Sequence, residues 1–398
     1  MKDIQKKNSY VLWLPSWYPN KITPYDGDFI QRHARAVSAF VQIHVIHFIK
    51  DLKGVVTESI YIDEKTTGNL TETIVYYNVK DPVFKFINKI NSLRTFKKLF
   101  KKIINELFEK AGRPQLVHVH VAFKAGIIAR WIRKRFKIPY LLTEHWTIYL
   151  DEATPNLKDL SFVHRAVINK VVKDALLVLP VSDYLGKCIL KKFSFISYKV
   201  LPNVVDAEIF YPCKKIDNHF QLIHASALDY QKDPQKLFEA IGLLKKKGIK
   251  FTLNVFGPAN AYIRELLKKE MIEEEVILHG EVPQHELANY MRRSDALILY
   301  SRYETFGCVI IEANASGIPV IASDIPVMHE LISADNGVLI KPNDPKALAC
   351  GLEEFILSKD KFDSERIAIQ AKEKFSYPVV GKKLSDLYEE IFNHQSTF

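Results

Sequence analysis

Cysteine is scarce in this sequence of 398 residues: Cys188, Cys213, Cys308 and Cys350 lie far apart and form no CxxC pair. That usage excludes a disulfide framework and a cysteine-type structural zinc, and it fits a reducing compartment. Long apolar runs are also missing. The opening MKDIQKKNSYVLWLPSWYP sets basic residues before a short apolar run that stops at Pro15. This is too short for a signal-peptide core, and far short of the roughly 18–20 apolar residues of a spanning helix. No other stretch approaches that length, so the expected location is the cytoplasm. There is no short-period repeat and no low-complexity tract, which excludes a solenoid.

Hydrophobic residues make up 47% and charged residues 26% of the chain, the balance of a soluble globular protein. The length suits two domains of roughly 150–200 residues. The formal charge of +10 is unevenly spread. Residues 1–200 hold 33 Lys and Arg against 17 Asp and Glu, a net +16, and the remainder holds 23 against 29, a net −6. Much of the excess sits in Lys85–Lys110 and in Arg130–Lys137. In the first segment Phe86, Ile90, Leu93, Phe96, Phe100, Ile103 and Leu107 recur at helical spacing with lysines between them. Such a helix either lies on an anionic bilayer or packs on a core with a solvated basic face. A basic half also serves nucleic-acid binding, but no recognition motif accompanies it.

Short apolar runs alternate with longer periodic segments, the pattern of parallel α/β sheets. Strands are expected at Tyr10–Leu14, Val41–Phe48, Leu116–Val121, Tyr140–Thr143 and Leu176–Pro180. The run Lys199–Leu201 then leads into Pro202–Asn203. A second series follows at Phe220–Ala225, Phe251–Phe256, Val276–Leu278, Ala296–Tyr300, Val320–Ala322 and Gly337–Ile340. Helical patterns lie between, at Gln235–Lys247, Ala261–Glu270, His285–Arg293 and Pro345–Leu357. The polar, aperiodic stretch 203–219 reads as an interdomain connection. Two doubly wound, Rossmann-like parallel-sheet domains follow, 1–203 and 204–376. A terminal segment 377–398 carries a helix Pro378–Phe392 with Val379, Leu384, Leu387, Tyr388 and Ile391 on one face. Ligands of such sheets bind beyond the carboxyl ends of the strands, in the cleft between the domains.

The stretch YSRYETFGCVIIEANASGIPVIASDIPVMHE, residues 300–330, is the most informative. A strand ends in a polar loop holding Glu304, Thr305-Phe306-Gly307 opens a helix, and Gly317 and Pro319 end it. Strand, glycine turn and helix present free backbone N–H groups and a positive helix end, which binds phosphate. Glu304 precedes the helix and Glu312 lies about two turns inside it. Carboxylates beside a diphosphate would be repelled, so each is expected to accept hydrogen bonds from sugar or ribose hydroxyls. Two carboxylates also serve glycoside hydrolysis, but there they flank the bond from facing elements, whereas these share one loop and helix. The remaining reading is a capping Glu304 and a solvated Glu312.

ETFGCVIIE matches the E-x7-E signature of the retaining GT-B-fold glycosyltransferases of the large family 4 group, and the chain resembles that family along nearly its whole length. The similarity runs through PQHELANYMRRSDALILYSRYETFG, EANASGIPVIASDIPVMHELI and NGVLIKPNDPKALA. In the first half, LWLPSWYPNKITPYDGDFIQRHARAV, VHVHVAFKAG, IPYLLTEHWTIYL and LPNVVD look like bacterial cell-surface polysaccharide transferases of the group. The resemblance implies transfer of a hexosyl or N-acetylhexosaminyl unit from a nucleotide-diphosphate sugar to a hydroxyl of a glycan or lipid-linked glycan. Configuration would be retained, and neither metal nor cofactor would be needed. Glu312 would hold the ribose diol and Glu304 the donor sugar. Backbone N–H groups of Thr305, Phe306, Gly307, Cys308 and Val309 would contact sugar and diphosphate. Lys232 would neutralise the departing diphosphate, a charge the transition state develops. His145 would lie near the transferred sugar, and Gly27 in a loop reaching towards the diphosphate.

Two departures stand out. The family commonly has an arginine five positions before the lysine, where this chain has Ala227. It usually has a Gly-Gly pair where this chain has Gly27-Asp28, with Arg32 and His33 one turn on. Asp26-Gly27-Asp28 has the spelling of a metal–diphosphate triplet, but it sits in a polar turn with Asp28 placed as a helix N-cap. His118 and His120 alternate onto one strand face; two histidines alone make a weak metal signal, and they read as structural or supporting residues. Cys308 reads as a small apolar filler. Alternatives on the same fold are a sugar-nucleotide epimerase and a non-catalytic nucleotide-sugar-binding protein.

Overall fold

The computed structural model describes residues 10–78, 85–214 and 219–395, and the side chains of 85–91, 394 and 395 are not described. In the first half the strands are β1 (Tyr10–Pro15), β2 (Gln42–Lys50), β3 (Ile60–Thr67), β4 (Leu70–Tyr77), β5 (Leu116–His120), β6 (Tyr140–Glu144) and β7 (Leu177–Pro180). The helices between them are α1 (Asp28–Ser38), α2 (Lys85–Ala111), α3 (Ala125–Phe136), α4 (Phe162–Asp174) and α5 (Asp183–Lys192). The sheet order is β3-β4-β2-β1-β5-β6-β7, so the strand order reverses at β1.

The hairpin β3–β4 was not expected from the pattern, and β3 runs antiparallel to β4 at the sheet's edge. Its sequence YIDEKTT is charged and largely exposed, so no apolar run announces it. The other pairings in this sheet are parallel. Every residue of β1 is buried, as befits a strand covered by helices on both faces. The stretch 199–201 forms no strand, and only Tyr198 makes a bridge, to Val178. Within α2, Phe96, Phe100, Ile103 and Leu107 are buried in the core, so this part of the basic helix is core-facing. Leu93 is exposed, and Phe86 and Ile90 lie outside the described side chains.

The second half builds a six-stranded parallel sheet of β8 (Gln221–Ala225), β9 (Thr252–Phe256), β10 (Val276–Gly280), β11 (Ala296–Leu299), β12 (Val320–Ser323) and β13 (Gly337–Ile340). Its helices are α6 (Pro234–Lys246), α7 (Ala261–Glu270), α8 (Gln284–Met291), α9 (Cys308–Ala315), α10 (Pro345–Ser358) and α11 (Ser364–Phe375). The order β10-β9-β8-β11-β12-β13 reverses at β8, whose neighbours are β9 and β11. Residues 215–218 of the linking stretch lie outside the description.

The chain passes between the halves twice, and the two passages run side by side: the Val205 N–H donates to the Phe375 carbonyl at 2.9 Å. Helix α12 (Tyr377–Gln395) then lies along α1. Val380, Leu384 and Tyr388 face inward at i, i+4 and i+8, whereas Val379 is exposed. The expected apolar face is thus turned by one residue at its start. Trp13 on β1 donates to the Tyr388 hydroxyl at 3.1 Å and anchors this helix to the first sheet.

Candidate active site

The reversal points of both sheets face a cleft of about 490 Å³. Such a crevice is where adjacent loops part and leave room for a ligand. On the second-half wall, β8 runs into Ser226 and Ala227, and a short helical turn, Tyr230–Lys232, follows with Asp229 capping it through the Lys232 N–H. The neighbouring strand β11 leads to Glu304, which is 4% exposed. Lys232 Nζ forms an ion pair with Glu304 Oε1. Ser301 Oγ donates to the same oxygen at 2.9 Å, and Gln231 Nε2 donates to Oε2 at 3.1 Å. A carboxylate this deeply buried needs such partners, so the two expected donor groups are joined to one another.

Helix α9 begins at Cys308, later than expected, which puts Glu312 a little over one turn inside it rather than two. Its N-cap is Gly307, at φ 96° with no side-chain cap. A Cβ there would stand 3.0 Å from Ile310 Cδ1. Glycine therefore lets the chain turn sharply and leaves the helix's first N–H groups to the cleft. Thr305, Phe306, Gly307, Cys308 and Val309 all line it. Burial pushes the Cys308 thiol up to about 12, which keeps it protonated.

Glu312 is 5% exposed and pairs with Arg32, which reaches it from α1 in the other half. Arg32 also contacts Asp28 at 3.2 Å. Burial works against the guanidinium charge, but Asp28 and Glu312 together hold it charged. Burial pushes the Glu312 carboxyl upward, and Arg32 pulls it back. Gln284 donates to Asp28 at 3.3 Å, a second tie across the cleft. Arg32 and Ala227 line the same cavity. Arg32 is thus a buried cation in the site where the family's arginine is missing. In the sequence it stood out only as a basic residue one turn past the Gly27-Asp28 departure, because the pairing with Glu312 spans the two halves.

Two placements differ from expectation. Asp28 is the first helical residue rather than the N-cap; Gly27 caps in the left-handed conformation without a side-chain bond. Gly27 is also absent from the cleft lining. A Cβ on it would meet the Trp17 carbonyl at 2.5 Å, so it packs beneath Trp17–Tyr18 and aims Asp28 instead.

His145 follows β6 and lines the cleft against Phe29, with ring centroids 4.7 Å apart. His118 and His120 share a face of β5, with stacked rings at 4.4 Å, yet they differ in partners. His118 contacts the Tyr388 hydroxyl at 2.5 Å and Thr143 Oγ1 at 2.7 Å, so both its nitrogens are used. His120 Nδ1 lies 3.4 Å from His145 Nε2, and its Nε2 is buried without a partner. His33 completes a group of three.

The model of the family "Glycosyltransferase Family 4" matches residues 41–209, and that of "Glycosyl transferases group 1" matches residues 207–374. The chain is 28% identical over 360 residues to an uncharacterized glycosyltransferase of Methanocaldococcus jannaschii, covering 88% of this chain and 94% of that protein. It is 24% identical over 356 residues to a putative teichuronic acid biosynthesis glycosyltransferase of Bacillus subtilis, covering 85% and 87%. Among solved structures, sucrose-phosphate synthase from Thermosynechococcus elongatus superposes with TM-score 0.77 at 16% identity, covering 97% of this chain and 100% of that one. Anabaena HepE, solved in complex with UDP and glucose, gives 0.70 at 15% identity over 96% and 99%. The two family matches meet at the junction between the sheets and together span residues 41–374, leaving β1 and α1 outside them. The chain belongs to the GT-B-fold glycosyltransferases of the family 4 type.

Proposed function

We propose that this enzyme moves a hexosyl or N-acetylhexosaminyl unit from a nucleotide-diphosphate sugar to a hydroxyl of a glycan or lipid-linked glycan, with retention of configuration. One observation carries the donor reading. Two buried carboxylates, each already matched by a cation, flank an uncapped helix end at the sheet's reversal point. Diphosphate binding exchanges those pairings. Lys232 turns from Glu304 to the departing diphosphate, and Arg32 supplies the second cation that Ala227 lacks. Glu304 and Glu312, released from their cations, accept hydrogen bonds from the sugar and the ribose.

The neutralisation of leaving-group charge then rests on Lys232, Arg32 and the helix end, and the donor needs no metal of its own. His145, whose side chain lines the cleft, meets a hydroxyl of the sugar or the acceptor. Among the described residues of the cleft no side chain is a credible covalent nucleophile, so the acceptor oxygen attacks the face from which the diphosphate leaves. Its proton passes to the departing phosphate oxygen.

A second cavity of about 720 Å³ lies on the N-terminal half, bordered by Trp17, Leu52, Phe96 and Phe123, with Lys50, Lys124 and one carboxylate, Asp26, among them. Apolar walls with two lysines fit a pyrophosphate-linked lipid acceptor, which favours a place at the cytoplasmic face of a membrane. Among the described residues no helix is long and apolar enough to cross a membrane.

A thermal-shift screen over UDP-, GDP- and ADP-sugars tests the donor, because ligands that bind only the folded state raise its melting temperature. NMR of the product then reads the anomeric configuration. Stabilisation by one nucleotide sugar, and a product of the donor's configuration, is the expected result. An inverted product overturns retention, and a donor converted to its isomer without acceptor overturns transfer.

A further inference from the structure

His33 on α1, His120 at the end of β5 and His145 just after β6 converge on one point. Each offers a ring nitrogen, and these atoms lie within 4.8 Å of one another. All three residues are buried. His33 Nε2 sits 2.8 Å from the Pro202 carbonyl, which can only accept, so that nitrogen carries the proton. The bare nitrogen is then Nδ1, which is buried with nothing to bind. A metal-bound histidine is held in this way, one nitrogen donating to a backbone carbonyl and the other left as the ligand.

The distance between His120 Nδ1 and His145 Nε2, 3.4 Å, is long for a hydrogen bond. It matches the edge of roughly 3.3 Å that tetrahedral zinc coordination makes from bonds of about 2.0–2.1 Å. Without an ion these two nitrogens share one proton at a poor distance, and the His33 lone pair stays unused. His118, one pleat away, has both nitrogens satisfied and lies outside the group. Glu144 lies outside the group: its Oε1 accepts from the Ala122 N–H and the Tyr149 hydroxyl at 2.8 Å each, and its Oε2 is buried without a hydrogen-bond partner.

We propose that His33, His120 and His145 form a binding site for one divalent transition-metal ion of the zinc class. Neutral imidazole with one bare nitrogen is the form that binds metal. Arg32, next to His33 on α1, is matched by Asp28 and Glu312. Three imidazole ligands suit zinc, copper or nickel and not magnesium or calcium. The ion would fasten α1 to the ends of β5 and β6. It would also fix the His145 proton on Nδ1, making that nitrogen a donor. The site shares His145 with the proposed sugar contact but uses none of the groups assigned to the diphosphate, so metal binding is measured apart from donor binding.

The test uses full-length protein stripped with a chelator. Co²⁺ is titrated in and read by its visible absorption, and Zn²⁺ is read by equilibrium dialysis and by the melting temperature. The expected result is one ion per chain, a tetrahedral cobalt spectrum, and a melting temperature that rises with Zn²⁺ and falls with chelator. His33→Ala should weaken binding by about 10–100-fold. His329→Ala, at an exposed histidine paired with Asp324, should leave it unchanged. Should His33→Ala fail to fold, His33→Gln replaces it, and the cobalt spectrum of the unaltered protein stands alone. No stoichiometric binding, an octahedral spectrum, or binding indifferent to the His33 variants would overturn the site.

Discussion

Arg32 and Glu312 meet across the cleft, one from α1 and the other from α9, and neither is more than 5% exposed. Their ion pair does two jobs in one place. It ties the halves together without ligand, and it keeps a cation beside the position that lacks the family's arginine. Removing one member strands a buried charge, which costs about 3–5 kcal/mol. Arg32→Ala is therefore expected to lose roughly that much stability in urea denaturation. Adding Glu312→Gln should recover part of the loss, giving a coupling energy of about 1 kcal/mol or more. Strict additivity of the two changes would show that the pair does not act as a unit.

Glu304 and Lys232 form the other charged pair, and their coupling predicts non-additive kinetics. Glu304→Gln should lower kcat by about 10²–10³-fold, the scale of losing one polar stabiliser of a transition state. Lys232→Ala should act similarly on kcat. The double variant should be little worse than either single one, since residues that act together are not independent. Steady-state rates with the donor found by the stability screen decide it. A near-normal Glu304→Gln enzyme would remove that carboxylate from the mechanism.

Most of the sheet strands were legible in sequence because buried parallel strands are continuous apolar runs, as in YVLWLP of β1. The hairpin β3–β4 was not, since its outer strand alternates charge with threonine and meets solvent. The E-x7-E segment and Lys232 were legible because chemistry concentrated in one loop and helix leaves a compact signature. The partners of those carboxylates were not. Arg32 lies 280 positions from Glu312, and His33, His120 and His145 come from three separate elements. Only the closure of the cleft and the winding of the first sheet bring them together.

Gly307 turns the chain at φ 96°, a conformation that costs any residue with a Cβ. Gly307→Ala adds the approach to Ile310 and is expected to destabilise by about 1–3 kcal/mol. Because the strain falls on the helix end that faces the cleft, donor affinity should fall with it. Isothermal titration of the donor and a urea curve on the same sample separate the effects. A change in stability with unaltered donor affinity would show that the helix end makes no donor contact.

Acid should weaken the fold through two buried histidines that are not part of the cleft lining. Burial pushes His47 and His224 each down to about 4 from an ordinary value near 6.5. His47 is held by the Pro15 carbonyl at 3.1 Å. His224 is held by the Ile298 carbonyl at 2.8 Å and Ser226 Oγ at 2.7 Å. Both are neutral in the folded state and become protonated in the unfolded chain once pH drops below about 6.5. The unfolded state then binds more protons, so stability falls with decreasing pH, by up to about 3 kcal/mol per histidine by pH 4. Above about pH 8 the slope from either has vanished. Urea unfolding at pH 7, 6 and 5 should trace the decline, and His224→Gln should reduce the slope between pH 6 and 5 by about one proton. An unchanged slope in that variant would mean that His224 is already protonated, or reaches water, in the native protein.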